Sequence, residues 1–323
     1  MRTYSLIILT LFVLLFSSCA VPRISLFTDD TTSLKEFTLQ GTGKGKILVI
    51  PIKGKISDST SKGLIFTKPS MIQEVVSQLK LAEKDKGIKA VILKINSPGG
   101  TVTAIDILYN EIVTFKNRTG VKVVAAMMDV AASGGYYISL PADFIFAHPT
   151  TITGSIGVIF MQPKVNNLME KIGVGLDINK FGKNKDMGSH FRNTTDEERK
   201  IFQELTDELG QRFINLVSIH RKLNKNELAQ ISTARIYLAP KALELGLIDK
   251  IGYLEDAIIK TMKLAGLPQD ARVVIYRRTE YPNDNLYNTS VDRQGGQGLA
   301  LIDLNLPGSI SPLNTGFYYI WMP

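Results

Sequence analysis

The chain has 323 residues (35.7 kDa), 44% of them hydrophobic and 21% charged, which is globular composition for one large or two ordinary domains and excludes a disordered tail protein or a collagen-like fibre. A net charge of +8 without a Lys/Arg-rich run interleaved with aromatics argues against a nucleic-acid partner. A single Cys rules out an intramolecular disulfide or a Cys-based zinc site, and His148, His190 and His220 are too scattered for a His-rich centre, so no metal or cofactor is expected.

The chain starts with a positive residue, Arg2, and an apolar run from Leu6 to Phe16 broken only by Thr10. The run is shorter than the roughly 20 residues a membrane-spanning helix needs, so residues 1–18 read as a signal peptide. Phe16-Ser17-Ser18-Cys19 resembles a bacterial lipobox, with Phe16 where Leu is usual. The resemblance implies that Cys19 receives a diacylglycerol and becomes the new N-terminus, held firmly at a membrane by its acyl chains. Ala20 in place of Asp leaves outer-membrane sorting open. Residues 19–45 are polar and read as a tether.

The body begins with a buried strand, Lys46 to Lys53. Ile72, Val75, Val76, Leu79 and Ala82 predict a helix over 69–85, and Ile88 to Ile95 the next strand. A helix over about 103–117 precedes a third buried strand, Val121 to Met128. A short helix over 131–140 and a short strand at Asp143 to Ala147 follow. Strands alternating with helices imply parallel βαβ units and a layered α/β fold. Thr195 and Glu198 form a capping-box pair at the head of a long helix to Leu223, with Ile201, Leu205, Leu209 and Phe213 at intervals of four. Two short helices over 239–265 and a strand near 272–277 complete a body spanning 46–277. The tail, 278–323, is rich in Asn, Gly and Pro. It ends in Phe317, Tyr318, Tyr319, Ile320 and Trp321, a cluster expected to pack on its own core or on a neighbouring subunit.

Three glycine-bearing loops follow strands, where α/β sheets place their sites. In Ser97-Pro98-Gly99-Gly100 a backbone N–H can approach a ligand as an oxyanion donor must, although a plain tight turn reads the same way. In Ala131 to Tyr137 (AASGGYY), Ser133 stands at a strand-to-helix junction, either as an exposed nucleophile or as an N-cap. A nucleophilic Ser needs a base. His148 and His190 lack a recognisable setting. A Lys serves if burial lowers its pKa towards about 7–8. The third loop, Gly182 to Ser189, offers Lys183 and Lys185, or is a solvated turn. These residues alone give a candidate nucleophile and no unique base.

The strings INSPGG (95–100), AASGGYY (131–137), TGSIGV (153–158) and NKDMGS (184–189), in this order and spacing, resemble the motifs of signal peptide peptidase A, the SppA serine peptidases of the ClpP/crotonase superfamily, in their short single-repeat bacterial form. The run Ala239 to Ala257 is similar too. The resemblance covers about residues 46–265 and implies a layered ClpP/crotonase-like fold. It makes Ser133 the nucleophile, Lys185 the general base and Ser155 the group that orients the lysine amine. Gly100 and the amide of Gly134 become the oxyanion hole. Ala234-Arg235 and Tyr237-Leu238-Ala239 depart from the family pattern in a region that supports architecture.

The resemblance further implies a membrane-tethered endopeptidase in the cell envelope, facing the periplasm or another extracytoplasmic side. It would cut unfolded peptides, such as released signal peptides, through an acyl-enzyme. Its subunits would form a homo-oligomer, a tetramer or octamer, whose sites combine neighbouring surfaces. The competing readings are a crotonase-type acyl-CoA enzyme, for which Ser133 and Lys185 would be superfluous, and an inactive lipoprotein scaffold.

Overall fold

The computed structural model describes residues 32–62, 67–281, 283–287 and 315–322. The signal peptide, Cys19 and the first part of the tether lie outside the described residues. The chain enters as β1 (Lys35–Gln40) and continues into β2 (Gly43–Lys53). A two-strand ribbon, β3 (Ser61–Lys62) and β4 (Thr67–Lys68), leads to α1 (Met71–Lys84). Strands β5 (Ile88–Ser97) and β6 (Gly99–Thr101) precede α2 (Val102–Thr119), and β7 (Lys122–Ala132) runs into the single turn α3 (Gly134–Tyr137). Next come β8 (Phe144–Ala147), β9 (Ile152–Gly154), β10 (Ile159–Met161), α4 (Asn166–Lys171), α5 (Asp196–Arg221) and α6 (Lys225–Ile231). The remainder is β11 (Ile236–Leu238), α7 (Ala239–Glu244), β12 (Lys250–Ile251), α8 (Leu254–Ala265), β13 (Ala271–Arg277) and β14 (Gly316–Ile320).

The main sheet runs β1-β13-β2-β5-β7-β8-β12, parallel throughout except at its β1 edge. Its central strands bury both faces. In β2, Leu48, Ile50 and Ile52 join the core under α1 and α2, whereas Ile47 and Val49 join the core under α8. This double burial is why these strands read as unbroken apolar runs rather than as alternating ones. The layered α/β fold with parallel βαβ units is therefore as the sequence predicts.

Beyond Met127, β7 leaves β8 and pairs in parallel with β9, which in turn pairs antiparallel with β11. The same long strand thus carries Ser133 out of the sheet and brings Gly154 and Ser155 alongside it. A second sheet, β10-β14-β6, stands at this end of the molecule, with β14 antiparallel to both flanking strands.

The structure differs from the sequence reading in two places and takes one of two expected packings in a third. β1 lies inside the stretch read as tether, so the folded body begins by Lys35; Phe37 and Leu39 pack it on the core beneath α8. The α5 capping box forms as expected, but Leu205 is exposed and only Phe213 and Val217 of the helix's apolar stripe are buried. The aromatic terminus packs on its own chain, as the middle strand of the second sheet. Among the described residues no helix is long and apolar enough to cross a membrane.

Candidate active site

Ser133 follows the last residue of β7 with φ 53° and ψ −116°, a conformation that ordinary side chains avoid. Its N–H donates to the Gly154 carbonyl at 2.8 Å. The residue is 1% exposed, and its Oγ, although buried, has no hydrogen-bond partner. Ser133 stands at the N-cap position of α3, but its hydroxyl makes no capping hydrogen bond, so side-chain capping does not account for it. A buried hydroxyl without a partner is normally costly, by about 1–3 kcal/mol, and such groups are retained where chemistry uses them.

Gly99, Gly100 and Gly134 close around this point. A methyl on Gly100 would lie 1.8 Å from the Ile56 carbonyl oxygen, and one on Gly99 would lie 2.8 Å from the Gly134 nitrogen. A methyl on Gly134 would meet Ile105 Cδ1 at 2.1 Å. Glycine is required here by contact, and its absence of a Cβ leaves the backbone amides of this loop within reach of a bound group. Ser155 also has a positive φ, 51°, and its N–H donates to the Arg235 carbonyl at 2.7 Å. Ser133, Gly99, Gly100, Gly134 and the Gly154–Ser155 turn are thus brought together by β6, β7 and β9.

Lys185 is not among them. It is exposed on the loop 182–188, and its Nζ meets no partner among the described residues. The burial expected to neutralise it is not supplied by the described residues. Lys183 pairs with Glu197 on the surface. The loop itself is anchored next to Lys185: Asp186 takes a bidentate contact from Arg192 (Nε to Oδ2 at 2.7 Å, Nη2 to Oδ1 at 2.9 Å), and Arg192 also binds Glu198 of α5. Arg192 and Lys180 hold the Asp186 carboxyl well below the usual range, and Arg192 holds that of Glu198 down to about 2. The sequence reading missed this network, because Glu198 reads as a helix cap and Arg192 carries no local signal.

The histidines lie elsewhere. His148 Nδ1 contacts Thr150 Oγ1, His190 Nδ1 contacts the Pro163 carbonyl, and His220 Nε2 contacts the Tyr109 hydroxyl. Beneath the glycine loop is an aromatic floor: Tyr137 lies 4.9 Å from Phe213 and donates its hydroxyl to Asp106 Oδ1 at 2.7 Å. Burial, and then Asp106, pushes the Tyr137 hydroxyl well above its ordinary pKa.

Comparison with known proteins places the chain among peptidases. The model of peptidase family S49 matches residues 116–268, and the Clp protease model matches residues 65–151. A protein assigned as signal peptide peptidase SppA in Enterococcus faecium is 35% identical over 82% of this chain and 77% of its own length. A protein assigned as a protease in Synechocystis is 36% identical over 70% of this chain and 76% of its own. Protease 4 of Haemophilus influenzae is 31% identical over 89% of this chain and 46% of its own length.

Proposed function

This chain belongs to the signal peptide peptidase A family, peptidase family S49, and on that premise we propose that it is a membrane-tethered endopeptidase working through Ser133 and Lys185. That it is a serine-type peptidase with a layered ClpP/crotonase-like fold follows from the family itself. The observation that carries the choice of nucleophile is the buried, unpartnered Ser133 Oγ on a strained backbone among Gly99, Gly100 and Gly134.

In this reading Ser133 Oγ adds to a peptide carbonyl as its proton passes to Lys185. The Gly100 and Gly134 amides receive the oxyanion, and Ser155 orients the lysine amine. The lysine returns the proton to the leaving amine, and water then hydrolyses the acyl-enzyme. Unfolded peptides, including released signal peptides, are the substrate class. Cys19, outside the described residues, carries the lipid that places the enzyme in the cell envelope.

A fluorophosphonate probe tests the assignment. It labels the wild type and not Ser133→Ala, whereas an acyl-CoA enzyme or an inactive scaffold stays unlabelled throughout. Lys185→Ala abolishes peptide cleavage and Lys183→Ala has little effect. Cleavage by Lys185→Ala at a near wild-type rate would reject the lysine.

Two observations favour a homo-oligomer in which the base and the nucleophile meet across subunits. Lys185 is exposed in its own chain, and the segment that carries it displays Leu168, Ile172, Val174, Leu176 and Phe181 to solvent. Apolar exposure on this scale marks an interaction surface. Mixing inactive Ser133→Ala and Lys185→Ala proteins under conditions of subunit exchange restores activity if the dyad forms between subunits. Mixtures that stay inactive place the dyad within one chain.

A further inference from the structure

Ser97 is the last residue of β5 and is wholly buried. Its register partner on β7 is Ala131, two residues before Ser133. α3 packs directly on it: a methyl on Gly135 would lie 2.5 Å from the Ser97 carbonyl oxygen. Ser97 therefore lies between the two segments that supply the proposed oxyanion amides, the loop of Gly99 and Gly100 on one side and α3 with Gly134 on the other. α3 is held in turn from beneath, where the Tyr137 ring stacks on Tyr319 at 5.3 Å.

The polar groups of the glycine loop can be followed one by one. The Asn96 carbonyl accepts from the Gly54 N–H at 2.9 Å, and Asn96 Oδ1 accepts from the Val130 N–H at 3.1 Å. Pro98 has no N–H to place, and its carbonyl accepts from the Trp321 N–H at 2.8 Å. The Ile56 N–H donates to the Gly99 carbonyl at 2.8 Å, and the Thr101 N–H donates to the Ile56 carbonyl at 3.1 Å. These two bonds face one edge of β6, so the Gly100 N–H is directed at the opposite edge, where β14 runs. The Gly99 N–H is the donor left to place. It is buried with its residue, and it donates to Ser97 Oγ at 3.1 Å.

That bond closes a short turn over Pro98 from a side chain instead of from the backbone. Gly99 has φ 105°, a torsion open to glycine and few other residues, so steric preference alone does not fix the peptides on either side of it. Ser97 Oγ holds the peptide before Gly99, and Ile56 holds the peptide after it, which carries the Gly100 N–H. Without an acceptor on residue 97 the Gly99 N–H would be a buried donor with nothing to bind, and rotation about Gly99 to satisfy it would swing the Gly100 N–H away from its aim.

Resting on the assignment of Ser133, Gly100 and Gly134 to the chemistry, we propose that Ser97 is a positioning residue for the oxyanion hole. Its Oγ takes up the Gly99 N–H and so keeps the Gly100 N–H aimed at the carbonyl oxygen of the bond that Ser133 attacks. Ser97 itself touches no reacting atom. The aim of that amide matters once negative charge develops on the oxygen, so the side chain acts on the rate of the chemistry and not on the binding of the peptide.

The test separates those two effects. Ser97→Ala lowers kcat on a quenched peptide about ten- to a hundredfold, with KM within about twofold of the wild type. Affinity for a peptide boronic acid, whose adduct with Ser133 places an oxygen in the same notch, falls by a similar factor. Ser97→Thr and Ser97→Val separate the hydroxyl from its packing, because the two side chains share one shape and only Thr can accept the Gly99 N–H; kcat of the Thr variant is roughly tenfold or more above that of the Val variant. A Ser97→Ala kcat equal to that of the wild type, a loss confined to KM, or equal activity of the Thr and Val variants overturns the proposal, while fluorophosphonate labelling of Ser133 in the wild type keeps the peptidase assignment standing. A wild type that neither labels nor cleaves removes that assignment, and the proposal with it.

Discussion

Ser133 and Ser155 occupy equivalent points on neighbouring parallel strands. Each directly follows one member of the Ala132–Gly154 pair, and each has a positive φ, 53° and 51°. Two strained serines at one register position turn the chain out of the sheet at the same level. A backbone hydrogen bond between the turns, from the Ser133 N–H to the Gly154 carbonyl, ties their positions together.

The strain gives a first prediction. Glycine at position 133 relieves a conformation that costs roughly 1–3 kcal/mol, partly offset by the added freedom of the unfolded chain. Ser133→Gly should therefore raise stability by about 1 kcal/mol while abolishing activity, and Ser133→Ala should abolish activity with little gain. Thermal unfolding of the two variants checks this; a lower Tm for Ser133→Gly than for Ser133→Ala contradicts the strain argument.

The contact between Gly134 and Ile105 gives a second. Gly134→Ala drives a methyl into Ile105 Cδ1, an overpacking cost of about 1–3 kcal/mol. Ile105→Val removes that carbon and alone costs about 1 kcal/mol. The double variant should be more stable than the sum of the two changes implies, and a double-mutant cycle by urea denaturation reads the coupling. Strict additivity would mean that the two residues do not meet.

A third concerns the loop beside Lys185. Asp186 and Glu198 have carboxyls depressed by Arg192, so their contribution is complete above the ordinary carboxylate range and fades as pH falls towards about 2 for Glu198. Protease cleavage within 182–191 should stay slow from pH 7 down to about pH 5 and quicken below that. Arg192→Ala should make cleavage fast already at pH 7 and reduce peptidase activity, because the loop that presents Lys185 loses its anchor. Unchanged cleavage in Arg192→Ala would show that the network holds nothing in place.

The fourth concerns the anchor. Cys19→Ser should block incorporation of labelled palmitate and move the protein into soluble or uncleaved precursor forms. Palmitate incorporation equal to that of the wild type would exclude Cys19 as the acceptor.

Local chemistry made much of the site legible in the sequence. Gly99, Gly100 and Gly134 stand at strand ends in short strings, and Ser133 sits between a buried strand and a Gly-Gly step, so each loop announces itself within a few residues. Thr195 and Glu198 were equally readable, since a capping box is a three-residue pattern. What could not be read depends on distance along the chain. Nothing near Tyr319 tells that it will stack on Tyr137, and an edge strand as short and mixed as Lys35–Gln40 has no alternation strong enough to separate it from a tether. Leu205 shows the opposite failure: its helical spacing is sound, but none of the described residues covers it. Lys185 could be named from its motif, but its exposure could not, because local sequence does not reveal which surface comes to cover a loop.

The left-handed backbone at Ser133 and Ser155 also bears on laboratory evolution of this enzyme. A selection that rewards heat resistance and ignores hydrolysis would push both positions towards glycine, since that residue alone accepts such torsions freely. The two serines would disappear from the surviving clones early, and with them the candidate nucleophile. Libraries built for robustness should therefore hold these two codons constant and place diversity elsewhere in the fold.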